Sequence, residues 1–126
     1  MVILDTNIII DHLRRDQADK SYFVSISEKI SKDELAISII TIQELYRGSS
    51  TRSNEEKEKL LTVLSSLKIF PYEYEIAQLA GELARDSSIL LEFPDAAIAA
   101  TAIFHDAKLF TLNKKDFVRI SKLELY

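Results

Sequence analysis

The chain has 126 residues, 47% hydrophobic and 29% charged, a net charge of −4, two Gly, two Pro and no Cys. This is the size and balance of one globular domain. It argues against disorder and excludes disulfides, thiolate zinc sites and thiol nucleophiles. No apolar run approaches the roughly 20 residues that span a bilayer, and no basic stretch precedes an apolar core at the N-terminus, so the expected location is the cytoplasm.

Val2-Ile3-Leu4 is a short apolar run of β type ending at Asp5, which predicts a buried strand. Asn7 to Leu13 predicts a helix with Arg14-Arg15 at its end, and Asp16 to Ile30 holds a second helical pattern. Leu35 to Ser38 predicts a second strand, and Ile40 to Arg47 a helix stopped by Gly48. Ser53 to Leu67 opens on a Ser-Asn-Glu-Glu start signal and carries Leu60, Leu61, Val63, Leu64 and Leu67 at helical spacing. Ile69-Phe70 is a third strand before Pro71. Glu73 to Asp86 is a helix with Ile76, Leu79, Ala80 and Leu83 on one face. Pro94-Asp95 opens a helix from Ala96 to Phe104, apolar nearly all round and therefore expected to be buried. Lys108 to Thr111 is a fourth strand, a turn covers Lys114 to Phe117, and Leu123 to Leu125 is a candidate edge strand. Strands alternating with helices predict a single α/β domain over 1–126, with a mostly parallel sheet covered on both faces.

In such sheets ligands bind beyond the carboxyl ends of the strands. Four acids fall there: Asp5 directly after one strand, Glu44 a few residues into the helix after another, Asp95 at the start of the apolar helix, and Asp116 just past Thr111 and Asn113. Carboxylates gathered at close range raise each other's pKa unless a cation joins them, and a hard divalent ion with oxygen ligands is the natural one. The pattern points to Mg²⁺ or Mn²⁺ and to metal-assisted phosphodiester chemistry.

Each acid also has a structural reading. Asp5 and Asp95 suit helix caps, Glu44 could face solvent beside Gln43 and Arg47, and Asn113-x-x-Asp116 reads as a capping-box variant. Asp11 is read as lying on a solvated helix face. Other chemistries have less to work with. His12 and His105 lack zinc spacing, Gly48 and Gly81 form no phosphate loop, and no Ser occupies a Gly-x-Ser-x-Gly elbow. The acidic balance counts against a nucleic-acid binder. Setting aside the four ligand candidates brings the charge from −4 to 0, however, and cations cluster at Arg14-Arg15, Lys57 and Lys59, and Lys114-Lys115.

Four segments together carry a resemblance: Leu4-Asp5-Thr6-Asn7-Ile8-Ile9-Ile10-Asp11, the run from Ser38 to Gly48 around Glu44, the run from Asp95 to Ala102, and Leu109 to Phe117. In this order and spacing the chain resembles the PIN-domain ribonucleases, and most closely the VapC-type toxins of toxin–antitoxin pairs. The likeness covers nearly the whole chain. It implies a three-layer α/β/α fold in which Asp5, Glu44, Asp95 and Asp116 match the family's acidic quartet. Asp5 and Asp95 would be the main metal ligands, with Glu44 positioning a water or a second ion and Asp116 holding an ion directly or through water. Thr6, Thr111 and Asn113 match supporting polar positions. The resemblance also implies a Mg²⁺-dependent endoribonuclease acting on RNA, a homodimer, and an inhibiting antitoxin protein. One departure is the absence of Gly from Ser87 to Phe93, where relatives often carry one. Two other readings remain: a non-catalytic module that keeps the fold, and a haloacid-dehalogenase-like phosphatase. The latter needs a second Asp where this chain has Asn7.

Overall fold

The computed structural model describes residues 1–16, 19–88 and 90–126. Four strands, β1 (Val2–Leu4), β2 (Leu35–Ser38), β3 (Lys68–Phe70) and β4 (Lys108–Phe110), form one all-parallel sheet in the order β3-β2-β1-β4. The register pairs Val2 with Leu35 and with Lys108, and Ala36 with Lys68. Helices α1 (Thr6–Arg14), α2 (Tyr22–Lys29), α3 (Ile39–Arg47) and α4 (Asn54–Leu64) carry the first two crossovers. Helices α5 (Tyr74–Asp86) and α6 (Phe93–Phe104) carry the third, which passes β2 and β1 to reach the far edge. A one-turn helix, α7 (Lys114–Phe117), stands where a turn is expected.

Strand alternation sorts the core into two halves. Val2, Leu4, Leu35 and Ile37 point to one face, where they pack with Ile8, Ile9 and Leu13 of α1, Ile26 of α2, Leu45 of α3 and Leu60 and Val63 of α4. Ile3, Ala36 and Leu109 point to the other, against Ile76 and Ala80 of α5 and the small side chains of α6. Ala97, Ile98, Ala99 and Ala100 are fully buried, as the all-round apolar pattern of this helix requires. The result is the expected α/β/α sandwich.

Several boundaries differ from the sequence reading. The segment 16–30 becomes a helix only at Tyr22, because the Ser21 hydroxyl accepts the Val24 N–H at 3.1 Å and fixes the start there; Gln17 and Ala18 of that segment lie outside the described residues, as does Ile89. Helix α6 begins at Phe93 rather than Ala96, since Pro94 is tolerated in a first turn. Asp95 therefore sits inside that turn and is not the cap. Strand β4 ends at Phe110, leaving Thr111 just beyond it. Leu123 to Leu125 makes a single parallel bridge from Leu125 to Leu109 and no strand. Gly48 caps α3 at φ −79°, so its N–H bond to the Glu44 carbonyl ends the helix without the left-handed turn that favours Gly.

Candidate active site

The sheet order reverses between β1 and β4, the place where an open parallel sheet leaves a crevice at its carboxyl edge. Asp5 leaves β1 on one side of that crevice and Thr111 leaves β4 on the other. The Thr111 hydroxyl donates to Asp5 Oδ2 at 2.7 Å. Asp5 Oδ1 accepts the Thr6 N–H at 2.8 Å, so Asp5 caps α1 as well as facing the crevice. The capping reading of Asp5 therefore holds on Oδ1, while Oδ2 is bonded by Thr111. Asn113 N–H donates to the Thr111 hydroxyl at 3.0 Å, and the Asn7 amide donates to it at 3.4 Å. Asn7 Oδ1 in turn accepts the Leu112 N–H at 3.2 Å.

Glu44 does not face solvent. It is half-buried on α3, and Thr6 Oγ1 donates to its Oε1 at 2.6 Å. The same Thr6 hydroxyl lies 3.0 Å from Thr41 Oγ1. Thr41 is fully buried three residues before Glu44 on the same helix face, a supporting position that the sequence reading did not single out although the i, i+3 spacing was there to find it. Asn113 occupies the N-cap position of α7 but makes no side-chain cap bond. The capping box with Asp116 is therefore not formed, and the Asp116 charge instead acts on the Asp95 carboxyl. Asp11, read as solvated, instead accepts from Arg15 Nε at 2.9 Å and from the Tyr22 N–H at 3.1 Å.

Electrostatics tie the four acids together. Burial pushes the Asp95 carboxyl up to about 6, and the negative charges of Asp5, Glu44, Asp116 and, last, Glu92 raise it further within that value. Glu92, the residue before α6, is a fifth acid that the sequence reading missed. Asp5 is raised too, first by burial and then by Glu44, against the lowering effect of its bonds from Thr111, Thr6 and Asn7. Among the described residues no Lys or Arg forms an ion pair with Asp5, Glu44, Asp95 or Asp116. The crevice thus concentrates negative charge that no ion pair among the described residues compensates. Among the described residues, no group of three or more His, Cys, Asp or Glu side chains is gathered closely enough to hold a metal ion by itself. A donor set of carboxylates matches the chemistry of Mg²⁺, which keeps several waters and takes one or two carboxylates plus phosphate oxygens. The donor set fits such an ion and would not fit zinc, which prefers His and Cys.

A family model described as the PIN domain matches residues 2–123. Ribonuclease VapC1 of Rickettsia felis is 35% identical over 98% of this chain and 93% of its own length. Ribonuclease VapC10 of Mycobacterium tuberculosis is 32% identical over 98% of this chain and 91% of its own. Among solved structures, VapBC2 from Rickettsia felis bound to a DNA fragment of its promoter superposes with a TM-score of 0.84 at 30% identity, covering 100% of this chain and 98% of that one.

Proposed function

Because the chain belongs to the PIN-domain family, we propose that it is a metal-dependent endoribonuclease and the toxin component of a toxin–antitoxin pair. The observation that carries the chemistry is the crevice between β1 and β4, where Asp95 is raised to about 6 by burial and by the charges of Asp5, Glu44, Asp116 and Glu92, and where no Lys or Arg among the described residues forms an ion pair with Asp5, Glu44, Asp95 or Asp116.

Asp5 and Asp95 are the proposed ligands of Mg²⁺ or Mn²⁺. When bound, such an ion supplies Lewis-acid polarisation of a phosphate and a lowered pKa for a bound water. Thr111 holds Asp5 Oδ2 in place and the Thr6 N–H holds Oδ1, so the carboxylate cannot rotate away from the crevice. Thr6 fixes Glu44 Oε1, leaving the other oxygen to orient the attacking water. Asp116, whose charge raises the Asp95 carboxyl, would hold an ion directly or through water. Asn113 keeps the Thr111 hydroxyl turned toward Asp5. The substrate is RNA, taken as single strand or loop, whose backbone can be splayed into a shallow cleft.

A cognate antitoxin protein would block this crevice, presenting a guanidinium or ammonium group to the acids in place of the metal. The chain would act as a homodimer, covering apolar side chains such as Leu61 of α4 and Tyr74 of α5, which are 56% and 79% exposed. The direct test is to strip the protein with EDTA, add it to total cellular RNA, and return Mg²⁺. Discrete cleavage that needs the added ion is the expected result; cleavage that persists in EDTA, or none with Mg²⁺ or Mn²⁺, would remove the ribonuclease reading.

A further inference from the structure

Asn7, Ile10, Asp11 and Arg14 recur at i, i+3, i+4 and i+7 and so share one face of α1. With Arg15 and Leu112 they line an open depression of about 300 Å³, at the small end of the range for ligand clefts. One end is joined to the acids, since Asn7 bonds to both Thr111 and Leu112 and Thr111 bonds to Asp5. The other end is cationic. Arg14 is exposed and forms no ion pair among the described residues. Arg15 is held by Asp11 and lies 5.8 Å over the Tyr22 ring. Lys59 donates to the Arg15 carbonyl at 3.0 Å and brings a third positive charge to the end of α1. Asp11 pairs with one of these three, and the exposed Asp16 follows Arg15 without an ion pair among the described residues.

Basic residues at the end of α1 also complement the helix dipole. That accounts for positive charge there. It does not account for the apolar part of the lining, Ile10 and the 44% exposed Leu112, in the same depression as Asn7. We infer that this face of α1 is a subsite for the RNA strand flanking the scissile phosphate, with Arg14 and Arg15 on backbone phosphates and a base resting between Ile10 and Leu112. Arg14 lies seven residues beyond Asn7, about 10 Å along the helix at 1.5 Å per residue. That is the length of roughly three nucleotides stacked at about 3.4 Å each. The apolar walls take any base, so the subsite contributes affinity and register rather than sequence choice. The inference rests on the ribonuclease reading for its substrate class, but its test does not depend on cleavage.

The probe is a labelled single-stranded RNA of about 12 nucleotides and mixed sequence, bound in EDTA across a salt series starting near 50 mM. Arg14→Ala is expected to weaken binding roughly 3- to 10-fold and to lower the slope of log affinity against log salt by about 0.7, the value for one phosphate contact on a single strand. Lys29→Ala, at the end of α2 away from the crevice, is the control and should change neither. Identical affinity and slope in Arg14→Ala and parent overturns the subsite, as does an equal loss in Lys29→Ala or a failure of the parent to bind the probe at all. An oligoglutamate peptide that competes as well as unlabelled RNA would also overturn it, in favour of a protein-docking face. A parent that binds through Arg14 yet cuts no RNA with Mg²⁺ leaves the subsite standing and defeats the ribonuclease reading instead.

Discussion

Asp95→Asn separates the cost of the uncompensated acids from their use. The Asp95 carboxyl is raised from its ordinary 3.8 to about 6, so the folded protein holds this proton more tightly than the unfolded chain does. The associated stability is present below about pH 4 and is lost as pH rises through about 6. At 1.36 kcal/mol per unit, the rise from 3.8 to about 6 corresponds to at most about 3 kcal/mol above pH 7. Asp95 is only half-buried, and water in the open crevice screens the repulsion, so the realised penalty should be nearer 1–2 kcal/mol. Asn keeps the shape of the side chain and removes the charge. In EDTA at pH 7.5, Asp95→Asn should therefore melt higher than the parent by about 4–8 °C, taking about 4 °C per kcal/mol for a domain of this size. The difference should shrink toward zero near pH 4. His12 and His105, both lowered chiefly by burial, destabilise the fold as pH falls through the ordinary histidine range, but they are common to both proteins and cancel in the difference. Adding Mg²⁺ should reverse the order, since only the parent gains binding free energy. The assay is thermal unfolding followed by circular dichroism across pH, with and without Mg²⁺. A melting difference that stays flat with pH, or a variant less stable than the parent in EDTA at pH 7.5, would refute the reasoning.

Thr6→Val deletes the hydroxyl that bonds Glu44 Oε1 and Thr41 Oγ1; it should cost about 1–3 kcal/mol in urea unfolding and reduce RNA cleavage roughly 10- to 100-fold, whereas Thr6→Ser should retain most of both. Light scattering at micromolar concentration should give about twice the 14.4 kDa chain mass, and a mass equal to the single chain would count against the dimer. A co-expressed antitoxin should abolish cleavage and should weaken Mg²⁺ binding measured by calorimetry; an inhibitor that leaves Mg²⁺ affinity unchanged would place its contacts elsewhere than the acids.

The layer order and the four-acid crevice were legible because each rests on local chemistry. The run Val2-Ile3-Leu4 followed by Asp5 fixes a buried strand and the acid at its end. Ala96 to Ala102 has no polar face to show to solvent, so it had to be buried. What the sequence hid depended on distant partners. Nothing near Asn113 indicates that its N–H turns back to Thr111 and leaves Asp116 uncapped. Asp11 looks like a solvated acid until Arg15 and Tyr22 close on it. The start of α2 at Tyr22 follows from a single serine cap, which a periodicity argument does not weigh. Leu123 to Leu125 has strand-like residues but pairs with β4 at one point only, where Leu109 bonds on either side of Leu125.

Asp5 is proposed to hold a metal used to cut RNA, in addition to capping α1. Asp5→Asn leaves an oxygen for the Thr6 N–H and the cap in place, so its thermal midpoint should stay within the shift that about 1 kcal/mol produces, or rise in the metal-free protein as one repelling charge is lost. Mg²⁺-dependent RNA cleavage and thermal midpoint should be read on the same samples of parent and variant. The account predicts an intact fold with cleavage reduced to a small residue; an intact fold with cleavage within a few-fold of the parent would contradict it.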